Sequence, residues 1–304
     1  MSSQMLTVAF TRSSSAELER LRQAFDETDA IVVGAGAGLS TAAGLSYSGE
    51  RFRRLFGPWE ARYGFHDMYS GGFYPYQTKG ELWGFWSRDV LANRYDAGVG
   101  APYAKLVGLL RDRDHFVLTT NVDHQFQLAG EPHETLFYTQ GDYGLLQCSL
   151  PCHQRTYDDE GAMRAMASAV DEKVARQRAA GVPERLWDLS APSELLPRCP
   201  VCGRPMAMSL RCDDTFVEDE GWHAAAGRYD AFLRSHERGK VLYLELDVGG
   251  NTPAIIKYPF WRRVAENPDA TYACVNLGEA FAPTPIAERS ILLDADIAAV
   301  VEAL

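Results

Sequence analysis

Long apolar runs are missing from this chain. No stretch of about 18 apolar residues occurs, and the opening MSSQMLTVAFTRSSSAELER holds no apolar leader core, so neither a membrane span nor a secretory signal is supported. A cytoplasmic protein is expected. Excess positive charge is missing too: 30 Lys and Arg stand against 41 Asp and Glu, a formal net charge of −11. Nucleic-acid affinity comes largely from cations that release condensed counterions, so a nucleic-acid partner is not expected. Internal repeats, low-complexity tracts and long flexible linkers are also absent. Cysteine is sparse, with six residues in 304, but four of them fall in two tight pairs. In an intracellular chain such pairs point to metal more than to disulfides. What remains is 46% hydrophobic and 23% charged, the composition of an ordinary folded chain long enough for one large α/β domain or a large one with a smaller.

Periodicity places the main elements. Ser15 to Phe25 has helical spacing after a serine run that can cap, and Ala30-Ile31-Val32-Val33 follows as a strand. That strand breaks into Gly34-Ala35-Gly36-Ala37-Gly38-Leu39-Ser40, with Gly44 beyond, which is how a parallel sheet delivers a phosphate-binding turn. The segment 56–86 is crowded with aromatic residues and broken by glycines, the pattern of a small helical insertion whose rings pack its own core. Pro102 to Leu110 reads as a helix and His115 to Leu118 as a buried strand. The latter ends in Thr119-Thr120-Asn121-Val122-Asp123, polar residues where open α/β sheets hold ligands. Asp158 to Ala180 is a charged helix, and the sheet pattern returns at Val241–Leu246, Thr271–Val275 and Ile291–Leu293 before a C-terminal helix.

Cys148-x3-Cys152 and Cys199-x2-Cys202 can turn four thiolates toward one tetrahedral ion, with Gly203 supplying the turn after the last ligand. Four sulfurs leave no open position for water or substrate, so such a zinc ion staples the fold and does no chemistry. Reduced buried thiols and a redox pair are the other readings of the same residues, and His153 is an alternative ligand. Cys212 and Cys274 stand alone and read as ordinary buried thiols.

The glycine loop fails the strict G-x-G-x-x-G fingerprint because position 39 is leucine, and no clear acidic residue closes a second strand some 20 residues on. An ordinary NAD dehydrogenase is disfavoured. Taken in order, the Gly34–Ser40 loop with Gly44, the strand-end Asn121-x-Asp123 and the two cysteine pairs resemble a sirtuin across most of the chain. The resemblance implies a Rossmann-like parallel-sheet part (1–55, 103–147 and 204–304), a helical, aromatic module (56–102) and an inserted small zinc-binding module (148–203), with NAD lying between. It also assigns roles. Gly34, Ala35, Gly36, Gly38, Ser40 and Gly44 would form the phosphate loop, Asn121 would hold ribose or an ordered water, and Asp123 would engage the nicotinamide carboxamide. Asn276 and Asn251 become ribose candidates, against turn chemistry as the bland alternative. Arg51, charged and close to the loop in sequence, is a candidate to reach a phosphate or carboxylate.

Two departures redirect the chemistry. Leu45-Ser46-Tyr47-Ser48-Gly49-Glu50-Arg51-Phe52 replaces the family's Pro-Asp-Phe-Arg stretch, and Tyr138-Thr139-Gln140-Gly141 replaces its His-Gly pair. Gln140 donates and accepts hydrogen bonds but has no titratable proton, so it can position a group and cannot serve as the base that deacylation needs. His124 and His133 read as packing or surface residues rather than replacements. Direct attack on the anomeric carbon by an outside nucleophile needs no such base, which makes ADP-ribosylation the leading reaction. The altered loop, the glutamine and Gly249-Gly250-Asn251-Thr252-Pro253 also resemble class M microbial sirtuins. That likeness implies transfer to a lipoylated carrier resembling glycine-cleavage H protein, with a macrodomain hydrolase reversing it. A deacylase and a non-catalytic NAD or ADP-ribose sensor are the alternatives.

Overall fold

The computed structural model describes residues 7–8, 14–250 and 253–304. It divides into two compact units, one of Met1–Gly44, Val99–Gln140 and Glu220–Leu304, the other of Leu45–Gly98 and Gly141–Asp219.

The strands of the first unit are β1 (Thr7–Val8), β2 (Ala30–Ala35), β3 (His115–Thr119), β4 (Leu136–Tyr138), β8 (Val241–Leu246), β9 (Thr271–Val275), β10 (Ala282–Pro283) and β11 (Ser290–Leu293). Its helices are α1 (Ser14–Glu27), α2 (Ala37–Ala42), α6 (Ala101–Leu110), α7 (Gln125–Leu128), α9 (Glu220–Ser235), α10 (Lys257–Glu266) and α11 (Ile297–Ala303). Six strands form one sheet in the order β11-β9-β8-β2-β3-β4, every pair parallel. Residues of β2, β3 and β8 are buried throughout, which explains why they read as apolar runs rather than as alternations. Ile31, Val33, Leu242 and Leu244 pack on one face with Leu21, Leu106 and Val300. On the other, Val32 and Tyr243 pack with Phe260, Trp261 and Tyr272. Each such side chain contributes about 1.5–3 kcal/mol by leaving water.

Because all six strands run the same way, the residues that follow their carboxyl ends share one edge. The glycine loop follows β2, Asn121 and Asp123 follow β3, Gln140 follows β4, Asp247 follows β8 and Asn276 follows β9. The sequence runs from β2 outward to β3 and β4, then returns to β8 on the other side of β2, so the strand order reverses between β2 and β8. Open α/β sheets bind ligands at that crevice.

The second unit holds α3 (Gly49–Tyr63), α4 (Met68–Gly72), α5 (Lys79–Val90), α8 (Glu160–Ala179) and an antiparallel sheet of β6 (Tyr157–Asp158), β5 (Gly141–Cys148) and β7 (Met206–Leu210). Its aromatic residues do pack among themselves: Phe52 stacks on Phe56 at 5.7 Å between ring centres, and Phe56 meets Phe85 at 5.1 Å. Gly71 is required there, since a Cβ would stand 2.4 Å from the Phe85 ring. A π-turn, Leu91–Tyr95, continues α5.

Candidate active site

At the end of β2, the Gly36 amide donates to Leu246 O at 2.9 Å, and the Gly36 carbonyl accepts from the Asn121 side-chain amide at 2.8 Å. The same Asn121 nitrogen donates to the Tyr103 hydroxyl at 3.0 Å. Ser40 Oγ lies 2.9 Å from that hydroxyl and donates to Asp123, whose second oxygen accepts from the Gln125 amide at 3.1 Å. A continuous network therefore fixes Gly36, Ser40, Asn121 and Asp123 with respect to one another. Both protons of the Asn121 amide are spent on protein, which turns its oxygen into the group available to a ligand. Tyr103, fully buried on α6, was invisible to motif reading because its position depends on how α6 packs.

The remaining glycines have different reasons. Gly34 lies inside β2, and a Cβ there would stand 2.3 Å from Ile256 and 2.7 Å from Phe260, so its lack of a side chain lets α10 lie close to the sheet. At Gly36 a Cβ would meet Asp247 O at 2.2 Å. Gly38 faces the Asp247 carboxylate so closely that any side chain would coincide with it. Gly44 adopts φ +87° beside open space, the left-handed turn geometry that glycine supplies without steric cost. Ala35 O receives Thr120 N at 3.1 Å and Thr119 Oγ1 at 3.0 Å, tying β2 to the start of the Asn121 loop.

Asn276 is 2% exposed, and its side-chain nitrogen has no hydrogen-bond partner among the described residues, an orphan donor at the edge where a ribose acceptor would satisfy it. Gln140 is half-buried in the turn after β4, while Asn251 lies outside the described residues. Arg51 belongs to the second unit, where its guanidinium donates to Ser46 O at 3.0 Å, Asn93 Oδ1 at 2.8 Å and Ala92 O at 2.8 Å. Ala92 lies in the π-turn. These contacts make Arg51 a strut for the segment after Gly44. Asp89, beneath Asn93, is fully buried, and burial pushes its carboxyl up to about 7 against the pull of Arg51.

Within the second unit the four cysteines converge, with all Sγ atoms within 4.8 Å of one another. Cys148 and Cys202 are 3.6 Å apart, and Cys152 and Cys199 3.7 Å. A tetrahedron of sulfurs at the usual zinc distance of about 2.3 Å has edges of about 3.8 Å, so the donor set fits a structural zinc ion. β5 delivers Cys148, and a knuckle closed by Gly203 N to Cys199 O at 2.9 Å presents the second pair, with Gly203 at φ +71°. His153 makes its contacts to Cys152 and to the Tyr157 hydroxyl, at 3.0 and 2.8 Å. It sits behind the ligands rather than among them. Cys274 is buried as expected, but Cys212 is exposed in the loop after β7, a correction that isolated cysteines in sequence do not reveal.

The fold is that of Sir2 enzymes. A Sir2 homologue solved with NAD matches with a TM-score of 0.59 over 93% of this chain and 91% of that one, at 18% identity. An ADP-ribose complex of a substituted Sir2 homologue gives 0.58 over 93% of each, at 16% identity. No protein-family model matches the chain. Among curated proteins it is 38% identical over 286 residues to a protein ADP-ribosyltransferase of Staphylococcus aureus, covering 94% of this chain and 86% of that protein. The chain belongs to that protein's family. A second relative, from Fusarium oxysporum f. sp. cubense and named as a probable bifunctional ADP-ribose hydrolase/ADP-ribosyltransferase, is 33% identical over 254 residues. The match covers 80% of this chain but 39% of that relative.

Proposed function

We propose that this chain is an NAD-dependent, sirtuin-type protein ADP-ribosyltransferase whose acceptor is a lipoylated, H-like carrier. The observation that carries the reading is the Gly36–Asn121–Tyr103–Ser40–Asp123 network at the reversal point of the sheet, combined with a glutamine after β4. NAD, when bound, supplies an electrophilic anomeric carbon as nicotinamide departs. Asn121, held by two donated hydrogen bonds, offers its oxygen to a ribose hydroxyl or water without reorganising, the preorganisation that electrostatic catalysis requires. Asp123, held by Ser40 and the Gln125 amide, fixes the loop that carries Asn121 and is the candidate to meet the carboxamide. Gln140 orients a hydroxyl or the incoming nucleophile and takes no proton, which favours direct transfer over deacylation.

The family relationship supports transfer to a protein. The name of the Fusarium relative pairs an ADP-ribosyltransferase with an ADP-ribose hydrolase in a single longer chain, which supports pairing this enzyme with a macrodomain hydrolase. The class M likeness of Tyr47 to Phe52 and of Gln140 supports the lipoylated carrier. No helix among the described residues is long and apolar enough to cross a membrane, and the four clustered thiols suit a reducing cytoplasm. Incubation with labelled NAD and lipoylated carrier is expected to move label onto the carrier. Asn121→Ala should reduce that transfer by roughly 100- to 1000-fold, the usual loss for one preorganised group. Undiminished label in that variant, or release of O-acyl-ADP-ribose from an acyl-lysine peptide by the unaltered chain, overturns the assignment.

A further inference from the structure

We propose that Asp247 accepts hydrogen bonds from the hydroxyls of the adenosine ribose and thereby selects NAD over NADP, a role that rests on the NAD reading above. Sequence alone shows no acidic residue closing a second strand some 20 residues after the glycine loop. Tertiary structure supplies one from more than 200 positions downstream, because β8 inserts directly beside β2.

Two backbone contacts pin this residue against the loop. Its amide donates to Val275 O at 2.9 Å, and its carbonyl oxygen fills the space a Gly36 side chain would need. Its carboxylate then lies on the Gly38 backbone, in the space that any side chain at 38 would take from it. Asp247 reaches this position at φ +44°, a left-handed backbone that non-glycine residues adopt mainly at turns and ligand sites.

Three other carboxylates near this edge are already committed. Asp123 is held by Ser40 and Gln125, Glu245 by Lys257 and Tyr272, and Asp294 by the Gly278 amide. The Asp247 carboxylate has no hydrogen-bond partner among the described residues, although the residue is half-buried. Burial raises its carboxyl above the usual range, and the nearby Glu279 raises it further, against the opposing pull of Lys257. An acceptor in this condition gains by meeting neutral hydroxyl donors. With the nicotinamide end assigned to Asn121 and Asp123 on the β3 side, the adenosine end extends over β8 and β9, where Asp247 and the orphan Asn276 amide stand. A carboxylate beside a ribose is how dinucleotide folds choose the free 2′-hydroxyl, since a 2′-phosphate there meets charge of its own sign. Glu279 adds to that repulsion.

The test uses the full chain and measures dissociation constants for NAD and NADP by calorimetry. Asp247→Gly removes the carboxylate while easing the left-handed backbone, and Asp247→Asn keeps the shape. Circular dichroism and melting check that both fold. Expected is a 10- to 100-fold weakening for NAD in Asp247→Gly, the scale of hydrogen bonds to a charged acceptor. NADP binding should hold or tighten in both variants, so that the preference for NAD collapses. NAD affinity that is unchanged or improved, or equal losses for both dinucleotides, overturns the inference. Those results leave the functional reading intact, whereas an unaltered chain that binds neither dinucleotide removes both.

Discussion

Replacing Lys257 with methionine probes the most deeply buried ion pair among the described residues, whose carboxylate, Glu245, lies two positions before Asp247. Lys257 Nζ and Glu245 Oε1 are 2.5 Å apart, with side chains 3% and 0% exposed. Tyr272 donates to the other carboxylate oxygen at 2.6 Å, and the ammonium lies 4.7 Å from the centre of the Phe281 ring. Methionine matches the aliphatic length of lysine, so the packing loss is small and the electrical loss dominates. Removing one partner of a buried pair costs about 3–5 kcal/mol. Burial already holds the Glu245 carboxyl above its ordinary range, and Lys257 is the main opposing influence. Without it the carboxyl rises further and takes up a proton. An acid whose pKa is raised in the folded state binds more protons folded than unfolded, so stability falls as pH increases from its unfolded pKa, about 4.3, to its folded one. The penalty of Lys257→Met is therefore smaller at pH 5 than at pH 7, by up to about 2.7 kcal/mol at about 1.36 kcal/mol per pH unit. Urea unfolding of both proteins at the two pH values, followed by tryptophan fluorescence, measures this directly. Adding Glu245→Gln should remove the pH dependence and recover part of the loss. A penalty below about 1 kcal/mol at pH 7, or one equal at both pH values, would refute the reasoning.

Two further outcomes are expected. Gly36→Ala places a Cβ 2.2 Å from Asp247 O, short of ordinary contact by about 1 Å, and the strand end must part to admit it. That movement breaks the bond to Leu246 O or the one from Asn121, so a stability loss of about 1–3 kcal/mol and at least about tenfold weaker NAD binding should follow; a variant with wild-type affinity contradicts the loop geometry. Elemental analysis of the purified chain should find about one zinc per chain. Cys199→Ser should lose the metal and lower the melting temperature, and chelation of the unaltered chain should mimic it; metal-free protein that melts unchanged denies the ion its stapling role.

The cysteine spacing, the glycine loop and the strands at Ala30, His115, Val241 and Thr271 are legible in the sequence, because each depends on neighbouring residues. A buried parallel strand must be apolar on both faces, and a knuckle must hold its sulfurs a few residues apart with a glycine to turn. Proximity along the chain says less about Arg51. It lies close to the loop in sequence, but its guanidinium is engaged by a π-turn some 40 residues away. Local pattern carries no information about such a partner.

The sequence by itself determined a parallel α/β sheet, a loop of small residues able to approach a ligand, a four-cysteine cluster and the absence of a base at Gln140. Only the tertiary structure decided which strand lies beside β2. Strand order follows from how α6, α10 and the other helices cover the sheet, not from local propensity. It is this order that presses Asp247 against Gly38, buries Lys257 with Glu245 and brings Tyr103 between Ser40 and Asn121. Contacts between residues distant in sequence are fixed by packing the whole core, so the groups that surround the glycine loop become visible only when the sheet is assembled.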